Sequence, residues 1–452
     1  MEHYGIMSLI PVVVVVATAL ISKRTLEALG LGSIVGFIIL NKIGFFPAWL
    51  DATTQVLTDS AWYILVFGIF GTIIALLEKS GGALGFSDLG AKVAKNRSSA
   101  LIVTWILGII IFIDDYLNNL GVGLAMRNIT DKYRVSREFL AYVINSTGAA
   151  VCVLIPVSTW GVFMATQYEA LGVTVNGTGL GAYIASVPYM FYGWAAVLIV
   201  PLYSVRMIPR FGPMKKAESR TDDTGDVYPT SYHEKNVAMS EMAAGQINKS
   251  HALNFIIPMI VLIAVTIYMQ DILYGVILGV VTCAIIYIPQ KLMTANEFFD
   301  TSLEGFKSMT QVIGIVIAAF ILQAANEGLG LTPFVIETVQ PLISPHLLPV
   351  ITFCVIAFLA FATGSFWGIA AISFPIIIPL AQALDANIFM AGAAIISATA
   401  FGSHACFYSD AATLTCAATG LQNIDYAKTS LPLLVIPTAV AIVLFIVFGF
   451  IG

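Results

Sequence analysis

The chain has 452 residues, 58% of them hydrophobic and 10% charged, with a formal net charge of −5 and a mean hydropathy of +0.91. Soluble domains carry roughly 25% charged residues, so this chain cannot coat a water-facing surface and must be solvated by lipid. No basic stripe exists to hold nucleic acid, neither HExxH nor GxSxG is present, and no two of the five cysteines are spaced CxxC. A nucleic-acid binder, a zinc or serine hydrolase and a disulfide framework are thereby set aside, and no cofactor is expected.

Apolar runs of the ~17–25 residues needed to cross a bilayer recur from end to end. The first, Ile6 to Ile21, is followed by Lys23-Arg24 rather than a small-residue cleavage site, and reads as a retained helix. Helices are predicted next over 25–41 and 60–78, then an interfacial connector over 83–96. A doubtful apolar stretch follows over 98–127, then a helix interrupted mid-way over 138–171 and a final span over 183–205. The polar stretch from Arg206 to Ser250 holds seven basic residues with Asp222-Asp223, Gly225 and Pro229. It reads as a flexible cytoplasmic linker without chemistry.

Beyond the linker the same order returns: helices over 254–269, 272–290 and 309–327, a connector over 332–345, and a doubtful stretch over 347–381. An interrupted helix over 387–420 and a span over 431–451 complete it. A shift of about 249 residues brings Ser60–Glu78 onto Met309–Glu327 and Phe112–Tyr116 onto Phe361–Ser365. Repetition of this kind defines the architecture before any single residue does.

Positive charge orients the spans, because cytoplasmic loops attract Lys and Arg. Lys79, Lys92, Lys95 and Arg97 precede the stretch 98–127, and Arg127, Lys132, Arg134 and Arg137 follow it. Both flanks should therefore be inside, which makes the stretch a re-entrant hairpin. Its counterpart 347–381 has no Lys or Arg on either flank and should enter from outside. The expected fold is an all-α polytopic membrane protein of two inverted-topology repeats, each with five spans (one broken) and one re-entrant hairpin. The repeats are 1–205 and 251–452, joined by linker 206–250, in the inner membrane with both termini outside. Of 21 Lys and Arg residues, Lys42 alone falls on the wrong side.

Inverted repeats place binding sites at the midplane, where discontinuous helices free backbone groups. Four such points hold nearly all the deep polarity. Asp114-Asp115 with Asn118 and Asn119 comes first: a mid-bilayer carboxylate costs at least about 2.5–3.5 kcal/mol, and adjacent ones share a proton or hold a cation. One of the pair could instead merely cap the second half-helix. At the second, Pro156 breaks the helix beside Ser158, Thr159 and Trp160, after Asn145-Ser146-Thr147; a simple packing kink is the other reading. Thr363, Gly364, Ser365 and Trp367 form the third, where small residues also serve helix packing. The fourth has Ser403, His404, Tyr408, Ser409, Asp410 and Thr413. His404 either relays protons, binds substrate or sits as a neutral, satisfied imidazole. Glu78, Glu327 and Glu169 read as solvated helix ends.

Phe112–Asn118, Ile129–Tyr133, Ser136-Arg137-Glu138, Ser146-Thr147, Pro156–Gly161 and Ser409-Asp410 with Thr413-Leu414 resemble the NhaC family over nearly the whole chain. The resemblance implies a Na⁺/H⁺ antiporter, or a transporter coupling Na⁺ or H⁺ to a small organic solute, working as an elevator and as a homodimer. Connectors 83–96 and 332–345 would then join a scaffold to a moving domain. Two departures remove carboxylates: Asn145 and Ser403 stand where many members have Asp. Fewer titratable groups fit an amino acid carried with Na⁺ better than pure exchange. The expected ion ligands are Asp114, Asp115, Asn118, Asn119, Ser158, Thr159, Thr363, Asp410 and Thr413. Asn145, Trp160, Ser365, Trp367, His404 and Tyr408 are expected around the solute.

Overall fold

The computed structural model describes residues 3–22, 24–82, 84–85, 92–229, 250–269, 271–339, 343–363, 366–407 and 409–451. Among these the regular structure is helical, as lipid demands of a backbone that must satisfy its own hydrogen bonds. The first half comprises α1 Ile10–Ser22, α2 Thr25–Asn41, α3 Phe45–Asp59, α4 Ala61–Lys79, α5 Arg97–Ile110, α6 Asp115–Lys132, α7 Arg137–Thr147, α8 Ala149–Leu154, α9 Thr159–Ala170, α10 Gly179–Ser186 and α11 Phe191–Ser204. Helix α12, Gly212–Thr224, follows. The second half comprises α13 Leu253–Met269, α14 Ile272–Tyr287, α15 Ala295–Ser308, α16 Thr310–Gly328, α17 Leu331–Val339, α18 Leu348–Thr363, α19 Phe366–Ala383, α20 Ile388–Ala405, α21 Asp410–Thr419 and α22 Asn423–Ile451.

The order of helices recurs between the halves, and so do their pairings. Helix α2 packs on α16 as α14 packs on α4, α4 takes α15 as α16 takes α3, and α6 meets α21 as α19 meets α9. Two of these helices, α3 and α15, occupy stretches that the apolar pattern left as connections, because each shows only one apolar face. Thr294 and Glu297 form a reciprocal capping box that starts α15. Trp49 of α3 donates its indole N–H to Ser33 of α2 at 3.1 Å. Helices α4 and α15 touch backbone to backbone: a Cβ on Gly71 would lie 2.1 Å from the Gly305 carbonyl oxygen. The span over 183–205 is bent by 53° between α10 with its following turn and α11.

The linker is not uniformly flexible, which corrects the expectation for 206–250. Helix α12 docks on α7 and α22, burying Met214, Ala217 and Thr221 and ending at Gly225, whose φ of 77° suits a residue without Cβ. Its buried Glu218 carboxylate pairs with Arg97 and, at 2.7 Å, with Arg210, and accepts from the Ser136 hydroxyl at 2.6 Å. Arg220 makes a two-pronged pair with buried Glu138, both contacts 2.9 Å. Side chains that read as solvated charge in sequence thus satisfy one another away from water. Residues 230–249 of the linker, and residues 83 and 86–91 of connector 83–96, lie outside the described residues.

These contacts also join ends that the sequence separates. Arg97 opens the segment 97–132 and Ser136 and Glu138 follow it, yet all three meet α12, and the Tyr133 hydroxyl donates to the Ala94 carbonyl at 2.5 Å. Helices α5 and α6 are therefore a hairpin whose ends lie together. The ends of α18–α19 likewise share one apolar cluster, with Ile343 and Leu348 against Leu380, Ala381 and Leu384. At the chain ends, His3 reaches Glu337 at 2.8 Å and His346 bonds the Gly449 carbonyl at 2.8 Å.

Candidate ion and solute site

The tip of the first hairpin meets the break of the first interrupted helix. Pro156 disfavours helix at the residue before it, and Ile155 is extended, with φ −108° and ψ 115°. Helix then restarts under a Ser158 cap, whose oxygen accepts from the Gly161 amide at 2.9 Å while its hydroxyl donates to the Cys152 carbonyl at 2.6 Å. Asp114 caps α6 in the same manner: one carboxylate oxygen accepts from the amides of Tyr116 and Leu117 at 2.9 and 3.1 Å. Its other oxygen accepts from the Thr159 hydroxyl at 3.2 Å, and the Thr159 amide donates to the Ile113 carbonyl at 3.0 Å. Asp115 accepts from the Trp160 indole at 3.2 Å. Both carboxylates are buried.

Asn118 and Asn119 complete this face. The Asn118 amide nitrogen donates to the carbonyls of Gly108, Ile111 and Thr147, at 2.6, 2.8 and 3.3 Å, closing the tip on α7. The Asn119 nitrogen donates at 3.2 Å to the Ala411 carbonyl of α21, so the hairpin touches the other half's interrupted helix. The amide oxygens of Asn118, Asn119 and Asn145 are buried without a donor. Buried acceptors are rarely left so, and amide and carboxylate oxygens are the ligands hard cations take. A Cβ on Gly148 would lie 2.5 Å from the Asn119 oxygen, which explains the glycine between α7 and α8. Among the described residues no group of three His, Cys, Asp or Glu forms a metal cluster.

The second half supplies the opposite wall. Trp160 lies against Trp367 and Phe366 of α19, ring centroids 4.9 and 6.1 Å apart. Thr363, the last residue of α18, donates to the Leu359 carbonyl at 2.8 Å. His404 lies buried in the last turn of α20, with Nε2 at 3.1 Å from the Ser146 hydroxyl and Nδ1 at 3.0 Å from the Tyr192 hydroxyl. Ser146 spends its own proton on the Tyr142 carbonyl at 2.6 Å. The ring proton therefore belongs on Nε2, and Tyr192 donates to Nδ1. Asn145 donates to the Tyr426 hydroxyl at 2.6 Å and to the His404 carbonyl at 3.2 Å. The sequence carries no signal for Tyr192, which lies in a span that reads as plain, or for Tyr426, which falls between the predicted segments 387–420 and 431–451.

Of the expected residues, Asp114, Asp115, Asn118, Asn119, Ser158, Thr159 and Trp160 form one connected set, joined through Asn119 to α21 and through Trp160 to Trp367. Asn145 and His404 form an adjoining network. Asp410 is the first residue of α21, where Ser409 accepts from the Ala412 amide at 3.1 Å. Thr413 instead faces out, accepting from Asn423 at 2.9 Å. Ser365 and Tyr408 lie outside the described residues.

Discontinuous helices meeting around buried carboxylates, in a chain with at least seven helices long and apolar enough to cross a membrane, define a multi-pass membrane transporter. A sequence model of the Na⁺/H⁺ antiporter family matches residues 151–450, and the chain belongs to that family. An uncharacterized Haemophilus influenzae protein is 26% identical over 99% of this chain and 91% of its own length. The arginine/ornithine antiporter ArcD of Halobacterium salinarum is 26% identical over 49% of this chain and 48% of its own. Among solved structures, Neisseria gonorrhoeae MtrF, described within a class of antimetabolite efflux pumps, matches with a TM-score of 0.58 at 13% identity, covering 91% of this chain and 86% of that one. The Alcanivorax borkumensis YdaH transporter gives 0.59 at 12% identity, covering 91% and 90%. These two likenesses concern the fold.

Proposed function

We propose that the chain is a Na⁺- or H⁺-coupled secondary active transporter of the inner membrane that carries a small organic solute such as an amino acid. The observation that carries this reading is the set of unsatisfied amide oxygens of Asn118 and Asn119 beside the Asp114–Asp115 pair. A cation bound there would neutralise carboxylates that are costly to bury, and so couple its own passage to movement of the core. The half-helices α6, α9 and α21 all begin near this centre, and their N-termini favour a solute carboxylate. ArcD, by its name, exchanges amino acids, which supports an amino-acid solute here.

The topology belongs to the same proposal. Hairpins α5–α6 and α18–α19 are re-entrant from opposite sides, the halves are inverted and both termini lie outside. The meeting of each hairpin's two ends supports this, as does the gathering of Arg97, Arg210 and Arg220 at α12. Elevator motion and a homodimer complete the reading by family resemblance. Pure Na⁺/H⁺ exchange is the second reading, favoured by the family and disfavoured by Asn145 and Ser403. Proteoliposomes loaded with a pH dye and given labelled amino acids, with and without a Na⁺ gradient, decide between them. Gradient-dependent solute accumulation is expected. Na⁺-driven pH change with no solute accumulated would establish exchange instead.

A further inference from the structure

A cavity of about 380 Å³ opens between the α3–α4 turn, the α13–α14 turn and helix α9. Three carboxylates line it, Asp59, Glu169 and Asp271, and no Lys, Arg or His does so among the described residues. Aromatic surface completes the wall, from Trp62 and Tyr63 at the start of α4. Along α9 the lining positions are Val162, Ala165, Thr166 and Glu169, one helix face at i, i+3, i+4 and i+7. That face continues down to Thr159, which bonds Asp114. Val162 stands one turn above Thr159, about 4.5 Å along the axis. The cavity thus lies along the helix face that leads to the buried carboxylates. A second opening, beside Glu78, Leu117 and Leu124, has a volume of about 10 Å³.

Taking the transport reading as its base, we infer that this vestibule selects an organic cation: a solute with an ammonium or guanidinium group on an aliphatic stem. A small metal ion needs oxygens around it at roughly 2.3–2.6 Å, whereas these carboxylates stand on separate elements around a space of small-molecule size. Two of them are already engaged locally: Asp59 accepts from Gln55 at 3.0 Å and Asp271 from the Leu273 amide at 2.9 Å. They present a negative field and not a closed coordination shell. Trp and Tyr faces add attraction for weakly hydrated organic cations. The cationic end rests against Glu169 and the aromatic wall, and the stem lies along Val162 and Ala165.

Lysine and its neutral isostere norleucine test this directly, because they differ only in the terminal ammonium. Calorimetric titration of the purified full-length protein with lysine, arginine, norleucine and glutamate is expected to give lysine or arginine a Kd at least about tenfold below that of norleucine. Glu169→Gln, and Asp271→Asn, which keeps a capping side chain, are each expected to weaken the cationic ligand by roughly three- to tenfold. Stabilisation by Na⁺ at the deep site is expected to stay unchanged in both. Equal binding of lysine and norleucine would overturn the inference. So would variants that shift only the Na⁺ dependence, since the carboxylates would then serve to concentrate Na⁺. Binding is read without transport: if lysine binds but no gradient drives its accumulation in proteoliposomes, the transport reading fails and the vestibule stands. If a neutral or anionic solute accumulates instead, the vestibule fails and transport stands.

Discussion

Asp114 accepts from two backbone amides through one oxygen and from Thr159 through the other, so a single carboxylate both begins a helix and faces the buried centre. The two tasks separate by substitution. Asn caps a helix about as well as Asp but carries no charge. Asp114→Asn is therefore expected to melt near the parent temperature while losing the stabilisation that Na⁺ gives the parent. Asp114→Ala should lose that response and about 1 kcal/mol more through the missing cap. Thermal melts of purified protein with and without Na⁺ check this; an unaltered Na⁺ response in Asp114→Asn would remove Asp114 from the ion site. Asp114 and Asp115 stand out in the sequence as charge inside an apolar stretch, and the structure buries both at the hairpin tip. The assignment of His404 was not legible in the sequence. Its two partners, Ser146 and Tyr192, come from elements 258 and 212 residues away, and no local pattern announces them.

At the scale of the element, the break near Pro156 could be read from the chain because proline acts on its immediate neighbour. The helices α3, α12 and α15 could not, since their stability comes from what they lie against. Helix α12 is the clearest case: a polar stretch becomes a docked element because Glu218 receives two arginines and a serine hydroxyl. Removing one member of such a buried set leaves the others uncompensated, at a cost of about 3–5 kcal/mol. Glu218→Ala is thus expected to lower the melting temperature and to speed tryptic cleavage at Lys215, Lys216 and Arg220. Unchanged cleavage would mean that α12 is held by its apolar face alone.

For the whole molecule, the distribution of Lys and Arg carried the proposed topology, and the pairing of distant loops agrees with it. The reading predicts different access for two positions. With Cys354 replaced by Ser, a membrane-impermeant maleimide added from the periplasm should label Asp271→Cys and leave Asn119→Cys unlabelled. Equal labelling of both would mean that 98–127 crosses the membrane. Finally, the Asn118 side chain rivets three carbonyls from two segments into one block. A tip fastened in this way has no loose strand to unwind and rewind at each turnover. In the elevator cycle proposed above this tip would travel as one block, and the apolar side chains around it, rather than its backbone, would exchange one set of neighbours for another.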